Sequence, residues 1–121
     1  MKTIKLRPAD CCEAPTPVHV LPERDRSSLV ALFHALGDQT RLEIFRLIAS
    51  QAAPICVCDI TPRFDVTQPT ISHHLKVLRE AGLVTVSRRG IWAYYAANEA
   101  GLTSLDNVLT ELRLARGGVA V

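Results

Sequence analysis

Between residues 67 and 95 the spacing of apolar side chains changes from helical to strand-like, and few small folds accommodate that order. In the first half, three apolar residues recur at three- and four-residue steps: Ile71, Leu75 and Leu78. Thr67 is a suitable N-cap, Pro69 is tolerated in a first turn, and Gly82 is suited to end a helix. The pattern therefore predicts a helix from Thr67 to Gly82 with one buried and one polar face.

The second half of this stretch predicts a β-hairpin with a basic tip. Val84 and Val86 alternate with polar residues, and the run Arg88-Arg89-Gly90 is typical of a tight turn. Apolar and aromatic residues return at 91–95, as expected for the second strand.

Further helices are expected ahead of this unit. The first is indicated by helical spacing of Leu29, Leu32, Phe33 and Leu36. Asp25 or Ser27 is available as its N-cap and Gly37 as its stop. A second helix starts after Asp38, and a short one is expected over 57–64.

A last helix is predicted behind the hairpin, with its leucines on one face: Leu102, Leu105, Leu109 and Leu112. An apolar face on a terminal helix needs a partner surface. Together with the first helix, through Leu29, Leu32 and Leu36, this face predicts a dimer.

The composition favours one folded domain with an arm. Prolines interrupt residues 1–23, which are predicted to be an extended arm. Residues 24–116 are predicted to form the domain, since 48% of the chain is hydrophobic, and residues 117–121 a flexible tail. No apolar run is long enough for a bilayer, and the N-terminus has no secretory pattern, so a cytoplasmic protein without a membrane partner is expected.

The order of elements predicts an α+β, mainly helical fold: a winged helix-turn-helix with a two-stranded β-hairpin wing. A helix that reads DNA needs polar side chains toward the base edges, and here these would be Gln68, Thr70, Ser72 and His73. Four cations suit phosphate contacts: Lys76, Arg79, Arg88 and Arg89. Residues 61–90 carry a net charge of +3 and the rest of the chain −1, although an ordinary solvated surface could show the same imbalance.

Four segments carry a family resemblance. They are Leu36-Gly37-Asp38-Gln39-Thr40-Arg41-Leu42-Glu43-Ile44, Cys56-Val57-Cys58-Asp59-Ile60, the run Gln68 to Leu78, and the wing residues 89–95. In these segments the chain resembles the ArsR/SmtB repressors. The resemblance implies a homodimer built on the first and last helices. It further implies binding to an inverted-repeat operator in double-stranded DNA, and dissociation when metal binds.

The cysteines occur as two pairs, Cys11-Cys12 and Cys56-x-Cys58. In a reducing compartment such pairs are metal ligands or redox thiols more often than disulfides, and buried structural cysteines are the simpler alternative. The second pair resembles the ligand box of family members that respond to arsenite, antimonite, cadmium or lead. Thr61 stands where arsenite sensors with all ligands on this helix have a third cysteine. A trivalent ion needs three thiolates, so the arm pair is expected to complete the site.

The arm is long enough to reach either subunit. Thirteen residues separate Cys12 from Arg26, and they span up to about 43–47 Å when extended. Resemblance to sensors with an N-terminal cysteine pair favours the partner's Cys56. The adjacency of Cys11 and Cys12 resembles an arsenite-responsive group, so As(III) or Sb(III) is the expected inducer. Cd(II), Pb(II) and a four-thiolate Zn(II) site remain alternatives.

Other assignments follow from the remaining residues. His34 and His74 are assigned to the core or an interface, His73 to DNA and His19 to the arm. No glycine-rich or anion-binding loop accompanies a cysteine, so neither an enzyme such as an arsenate reductase nor a metal chaperone is expected. Thiol oxidation as the releasing signal stays open as an alternative.

Overall fold

The computed structural model describes residues 3–4 and 17–115. Eleven elements follow one another: β1 (Thr3–Ile4), β2 (Val18–His19), α1 (Glu23–Leu36), α2 (Gln39–Ala49), β3 (Ile55–Cys56), α3 (Val57–Ile60), a 3-10 helix (Thr61–Arg63), α4 (Gln68–Glu80), β4 (Val84–Arg89), β5 (Trp92–Ala97) and α5 (Glu99–Leu114). In the N-terminal arm, β1 pairs with β2 in antiparallel register. No helix in the described part is long and apolar enough to cross a membrane.

Helix α1 begins earlier than the sequence predicts. Pro22 occupies the N-cap position without a side-chain cap, and the amide of Arg26 donates to the Pro22 carbonyl at 3.0 Å. Asp25 and Ser27 therefore lie inside the helix, and the prediction that one of them caps it is wrong. Two features favour the early start: the fixed φ of proline, and the acidic side chains of Glu23 and Asp25 in the first turn, where the helix dipole attracts negative charge.

The two predicted caps on α2 and α4 are confirmed. The Asp38 carboxylate accepts from the Arg41 amide at 2.9 Å, and the Thr67 hydroxyl accepts from the Thr70 amide at 3.4 Å. Each bond satisfies one of the amides that the first turn of a helix leaves without a partner.

Gly82 ends α4, as predicted. Its φ of 84° lies in the left-handed region, which glycine adopts without a steric penalty. The Leu83 amide donates to the Leu78 carbonyl and the Gly82 amide to the Arg79 carbonyl, both at 3.0 Å. This pair of bonds is a Schellman motif, and it turns the chain from α4 into the wing.

The predicted hairpin is present, and a third strand joins it. β4 pairs with β5 with Arg89 opposite Trp92, so Gly90 and Ile91 form a two-residue turn. Only Gly90 has a positive φ, 64°, which is the pattern of a type II′ turn. The short strand β3 pairs with the other edge of β5, giving the order β3-β5-β4. The sequence analysis did not predict β3, because two residues carry no periodic signal.

The core lies between the helices and one face of this sheet. Its fully buried side chains come from five segments: Ile44, Ile60, Ile71, Leu75, Leu78 and Leu83. Three of them form the buried stripe predicted for α4.

The start of α5 is fastened to the turn between α4 and β4. The Asn98 side-chain amide donates to the Gly82 carbonyl at 3.0 Å, and the Asn98 backbone amide donates to the Leu83 carbonyl at 2.8 Å. Gly101 packs against the same backbone so closely that a Cβ atom there would overlap the Gly82 carbonyl. This backbone joint fixes where α5 leaves the wing.

The apolar surface of α1 differs from the predicted one. Leu32 is only 4% exposed, and Leu29 and Leu36 pack against the core of the same chain. The exposed apolar residues of α1 are instead Val30 and Phe33, at 61% and 47%. On α5, Leu109 and Leu112 are exposed as the spacing predicted, whereas Leu102 and Leu105 pack partly against the core. The leucines of α1 serve one subunit's core because α2, α4 and α5 all contact that face.

Candidate DNA interface and thiol site

The outer face of α4 carries every polar side chain that the sequence assigned to it. The exposed residues are Gln68, Thr70, Ser72, His73, Lys76 and Arg79. Opposite them, Leu75 and its buried neighbours hold the helix on the core. The arrangement leaves a polar helix face free for base edges, which the major groove presents at a width suited to one α-helix. We call α4 the reading helix.

The wing adds two cations on opposite faces of the hairpin. Arg88 is paired with Ala93 and Arg89 with Trp92, so their side chains alternate. The Arg89 guanidinium lies over the Tyr94 ring, 4.7 Å from its centroid. At the tip, Ile91 is 86% exposed.

Lys76 is the one cation of the reading helix with an acidic neighbour among the described residues. Its Nζ lies 4.0 Å from a Glu80 carboxylate oxygen, and both side chains are more than half exposed. An exposed pair of this kind is weak, so Glu80 competes little with a phosphate for Lys76.

The thiol segment, residues 55–60, comprises β3 and α3. Cys56 is 3% exposed, and its Sγ accepts a hydrogen bond from the Cys58 amide at 3.4 Å as the N-cap of α3. Cys58 is exposed one residue into the helix. Both thiols are thus held within one turn by local backbone structure. A cavity of about 620 Å³ beside Cys56 is lined also by Asp59, Arg63 and Tyr94.

The thiol of Cys58 is protonated at neutral pH. The Cys56 side chain, together with partial desolvation and the charge of Asp59, raises the pKa of Cys58 to about 11. Within residues 17–115 no group of three or more His, Cys, Asp or Glu side chains is placed to hold a metal ion. Two thiols alone do not satisfy a trivalent ion, so the donors present fit such an ion only if others join them.

The other predicted thiols, Cys11 and Cys12, lie outside the described residues. Because α1 begins at Glu23, ten residues separate Cys12 from the helix instead of thirteen. Extended, ten residues span about 33–36 Å. The shorter tether still exceeds the size of one small domain, so both subunits stay within reach.

The third strand connects the thiol segment to the wing. Cys56 stands opposite Tyr94 in the β3–β5 pairing, and residues directly opposite share one face of a sheet. Tyr94 in turn carries Arg89 on its ring. A displacement at Cys56 therefore reaches a wing cation through one strand pair. The aromatic content of β5 was the only sequence signal for this connection.

A polar network behind the reading helix was also missed. Arg41 is only 8% exposed, and its guanidinium donates to the carbonyls of Ala35 and His34 at the end of α1. A third contact joins Arg41 Nη1 to His74 Nδ1 on α4 at 3.1 Å. His74 is half-buried here, whereas His34 is exposed on α1 and His19 is exposed in the arm.

Comparisons with known proteins agree with this geometry. Residues 38–86 match the family described as "Bacterial regulatory protein, arsR family". The arsenical resistance operon repressor of Bacillus subtilis is 45% identical over 73 residues, which are 60% of this chain and 69% of that protein. An ArsR-like regulator from Rhodococcus superposes with a TM-score of 0.63 at 29% identity, covering 72% of this chain and 80% of the other. The homodimeric winged helix-turn-helix DNA-binding domain of a Mycobacterium bovis protein superposes with a TM-score of 0.59 at 21% identity, covering 86% and 98%.

Proposed function

This chain belongs to the arsR family of bacterial regulatory proteins, and we propose that it represses transcription as a homodimer that leaves its operator when cysteine thiols capture As(III) or Sb(III). Its kind of activity, DNA-binding transcription regulation and not catalysis, comes with the family. The observation that carries the inducible part is the pair Cys56 and Cys58, held by one capped turn beside a DNA-binding unit.

The proposed DNA contacts divide into reading and anchoring. Gln68, Thr70, Ser72 and His73 meet base edges from the start of the reading helix, where its exposed polar side chains cluster. Lys76, Arg79, Arg88 and Arg89 contact phosphates, which fix the position of the protein but carry no sequence information. The partner is an inverted repeat, because a two-fold dimer presents two identical helices.

The proposed dimer uses the exposed apolar residues of the two terminal helices. Val30 and Phe33 on α1, and Leu109 and Leu112 on α5, are each about half exposed or more in one chain. Apolar patches of this kind commonly mark a protein interface. The homodimeric Mycobacterium bovis domain supports the assignment.

Thiol exchange at arsenic explains why three cysteines suffice. Arsenous acid, As(OH)₃, reacts with three thiols to give As(SR)₃ and three water molecules, so no net proton is released. Cys56 and one or both arm thiols, Cys11 and Cys12, are the proposed ligands, with Cys58 as an additional one. A dication such as Cd(II) instead displaces one proton from each thiol that it binds. Its affinity therefore falls steeply in acid, whereas that of As(III) stays nearly constant.

Ligand capture acts on DNA binding by two routes in this proposal. The arm closes over α3, which favours a dimer geometry in which the reading helices no longer match the half-sites. The pairing of Cys56 with Tyr94 also shifts the wing strand that carries Arg89. A coupling free energy of about 1–3 kcal/mol is typical of such systems.

The alternatives have weaker support. Cd(II), Pb(II) or Zn(II) would use the same thiols in a four-ligand site, and proton release on binding distinguishes them from As(III). Redox sensing needs a reactive thiolate, but Cys56 is buried and the pKa of Cys58 is raised.

The test uses operator binding and release. Cys11→Ser with Cys12→Ser should abolish As(III)-triggered release and leave the affinity for the upstream DNA of its own gene unchanged. Cys56→Ser should do the same alone, and Cys58→Ser should matter little for As(III) and much for Cd(II). Unchanged release from the arm variant would refute the proposed ligand set.

Mixing the arm variant with Cys56→Ser protein then locates the ligands. If the site bridges subunits, half of the sites in each heterodimer are complete and As(III) binding recovers. A site within one subunit leaves every heterodimer without a complete set. Absence of recovery would show that the arm folds back on its own chain.

A further inference from the structure

The hydrogen bond between Arg41 and His74 joins three helices at one point. Arg41 belongs to α2, its acceptors at Ala35 and His34 belong to the end of α1, and His74 belongs to the reading helix. A guanidinium buried to this degree needs partners for its donors, and the unpaired carbonyls at a helix C-terminus also attract positive charge. His74 supplies the contact that α4 makes to this point.

The contact defines the state of the His74 ring. A guanidinium has donors and no acceptor, so Nδ1 must accept, and the proton of the neutral ring must be on Nε2. Nε2 faces the Asp38 carboxylate at 4.0 Å, too far for a hydrogen bond. Asp38 itself accepts from the Arg41 amide at 2.9 Å.

Protonation removes the acceptor. The charged ring carries hydrogens on both nitrogens, so it no longer accepts from Arg41 and instead places a second cation beside it. The charged and titratable groups around the ring are Asp38 and Arg41 from α2 and its cap, and His73 from α4; only Asp38 favours the charged form. Burial, with Arg41 and His73, lowers the pKa of His74.

We propose that Arg41 and His74 are positioning residues, which hold the reading helix against the end of α1, and that protonation of His74 weakens operator binding by releasing this hold. The inference rests on the proposed DNA-binding role of α4. It adds a proton as a second signal, acting on a helix that the thiols do not touch. The neighbouring His73 has the opposite effect, because an exposed cation on the outer face attracts phosphate.

The first experiment measures operator affinity by fluorescence anisotropy between pH 7.5 and 5.5 at constant ionic strength. His73→Gln protein serves as the reference, since it removes the opposing titration. Its affinity should fall by up to about tenfold per pH unit for each coupled subunit. His73→Gln/His74→Gln protein should retain binding at neutral pH, because the Gln oxygen accepts from Arg41, and should show less than about a twofold change over the same range. Equal losses in both proteins would overturn the proposal.

A second measurement needs no DNA and so separates this inference from the proposed function. The ¹⁵N chemical shifts of the imidazole, assigned with His74→Gln, should show the Nε2–H form at pH 7.5. Arg41→Gln should abolish that preference, whereas Arg46→Gln, at an exposed α2 cation paired with Glu43, should not. An Nδ1–H ring in the wild-type protein would overturn the proposal. Wild-type protein that binds no duplex at any pH would refute the DNA role instead.

Discussion

The reading helix and the thiol segment both begin with a side-chain cap and both expose polar groups, but they are stabilised to different degrees. α4 has 13 residues, buries Ile71, Leu75 and Leu78, and ends in a Schellman motif. α3 has four residues and buries only Ile60. The element that meets DNA is thus complete within one chain, whereas the element that meets the inducer needs ligands from elsewhere. Such a difference suits a repressor, because DNA needs a preformed surface and the inducer needs one that closes around it.

The largest expected effect is in the core beneath the reading helix. Leu75→Ala removes a fully buried side chain and should lower the free energy of unfolding by about 3 kcal/mol, within the range of about 2–5 for such changes. Cys58→Ser, at an exposed position of the thiol segment, should change it by less than about 0.5 kcal/mol. Urea denaturation of both proteins measures the difference. Similar losses would contradict the contrast between the two elements.

A smaller effect is expected at the two caps. Thr67→Ala should cost about 1 kcal/mol of unfolding free energy, because the first turn of α4 loses its acceptor. Cys56→Ser replaces one capping side chain by another and should leave stability nearly unchanged while abolishing the As(III) response. Thermal unfolding and As(III)-triggered release, measured on the same samples, separate the structural and the ligand role of Cys56. A large loss of stability in Cys56→Ser would show that its burial matters more than its cap.

The smallest effect concerns salt. Each change of Lys76, Arg79, Arg88 or Arg89 to Ala should flatten the dependence of log affinity on log salt by about 0.9, which is about a threefold effect between 50 and 200 mM. Cys58→Ser should leave the slope unchanged and is the matched control. Anisotropy titrations at several salt concentrations give the slopes. Any of the four variants with the wild-type slope would be removed from the phosphate contacts.

The same contrast explains what the sequence could predict. The reading helix was predictable with both ends, because Thr67, Pro69 and Gly82 act locally and its stripe is periodic. β3 and the start of α1 were not, since a two-residue strand has no period and a proline start lacks a capping side chain. For α1, spacing predicted an apolar face, but only the packed structure shows that Leu32 serves the core while Val30 and Phe33 stay exposed. Arg41 and His74 lie 33 residues apart, so no local pattern could pair them.

The backbone joint between α5 and the wing has a mechanical consequence. α5 has 16 residues and is therefore a rod about 24 Å long, with its pivot at Gly101 against Gly82. A rotation of about 10° at that pivot moves the far end of the rod by about 4 Å. This exceeds the rise of about 3.4 Å between neighbouring base pairs. If the far end of α5 is held against a second subunit, the angle of this glycine pivot determines how many base pairs separate the two half-sites. Operators lengthened or shortened by one base pair would then measure that angle in solution.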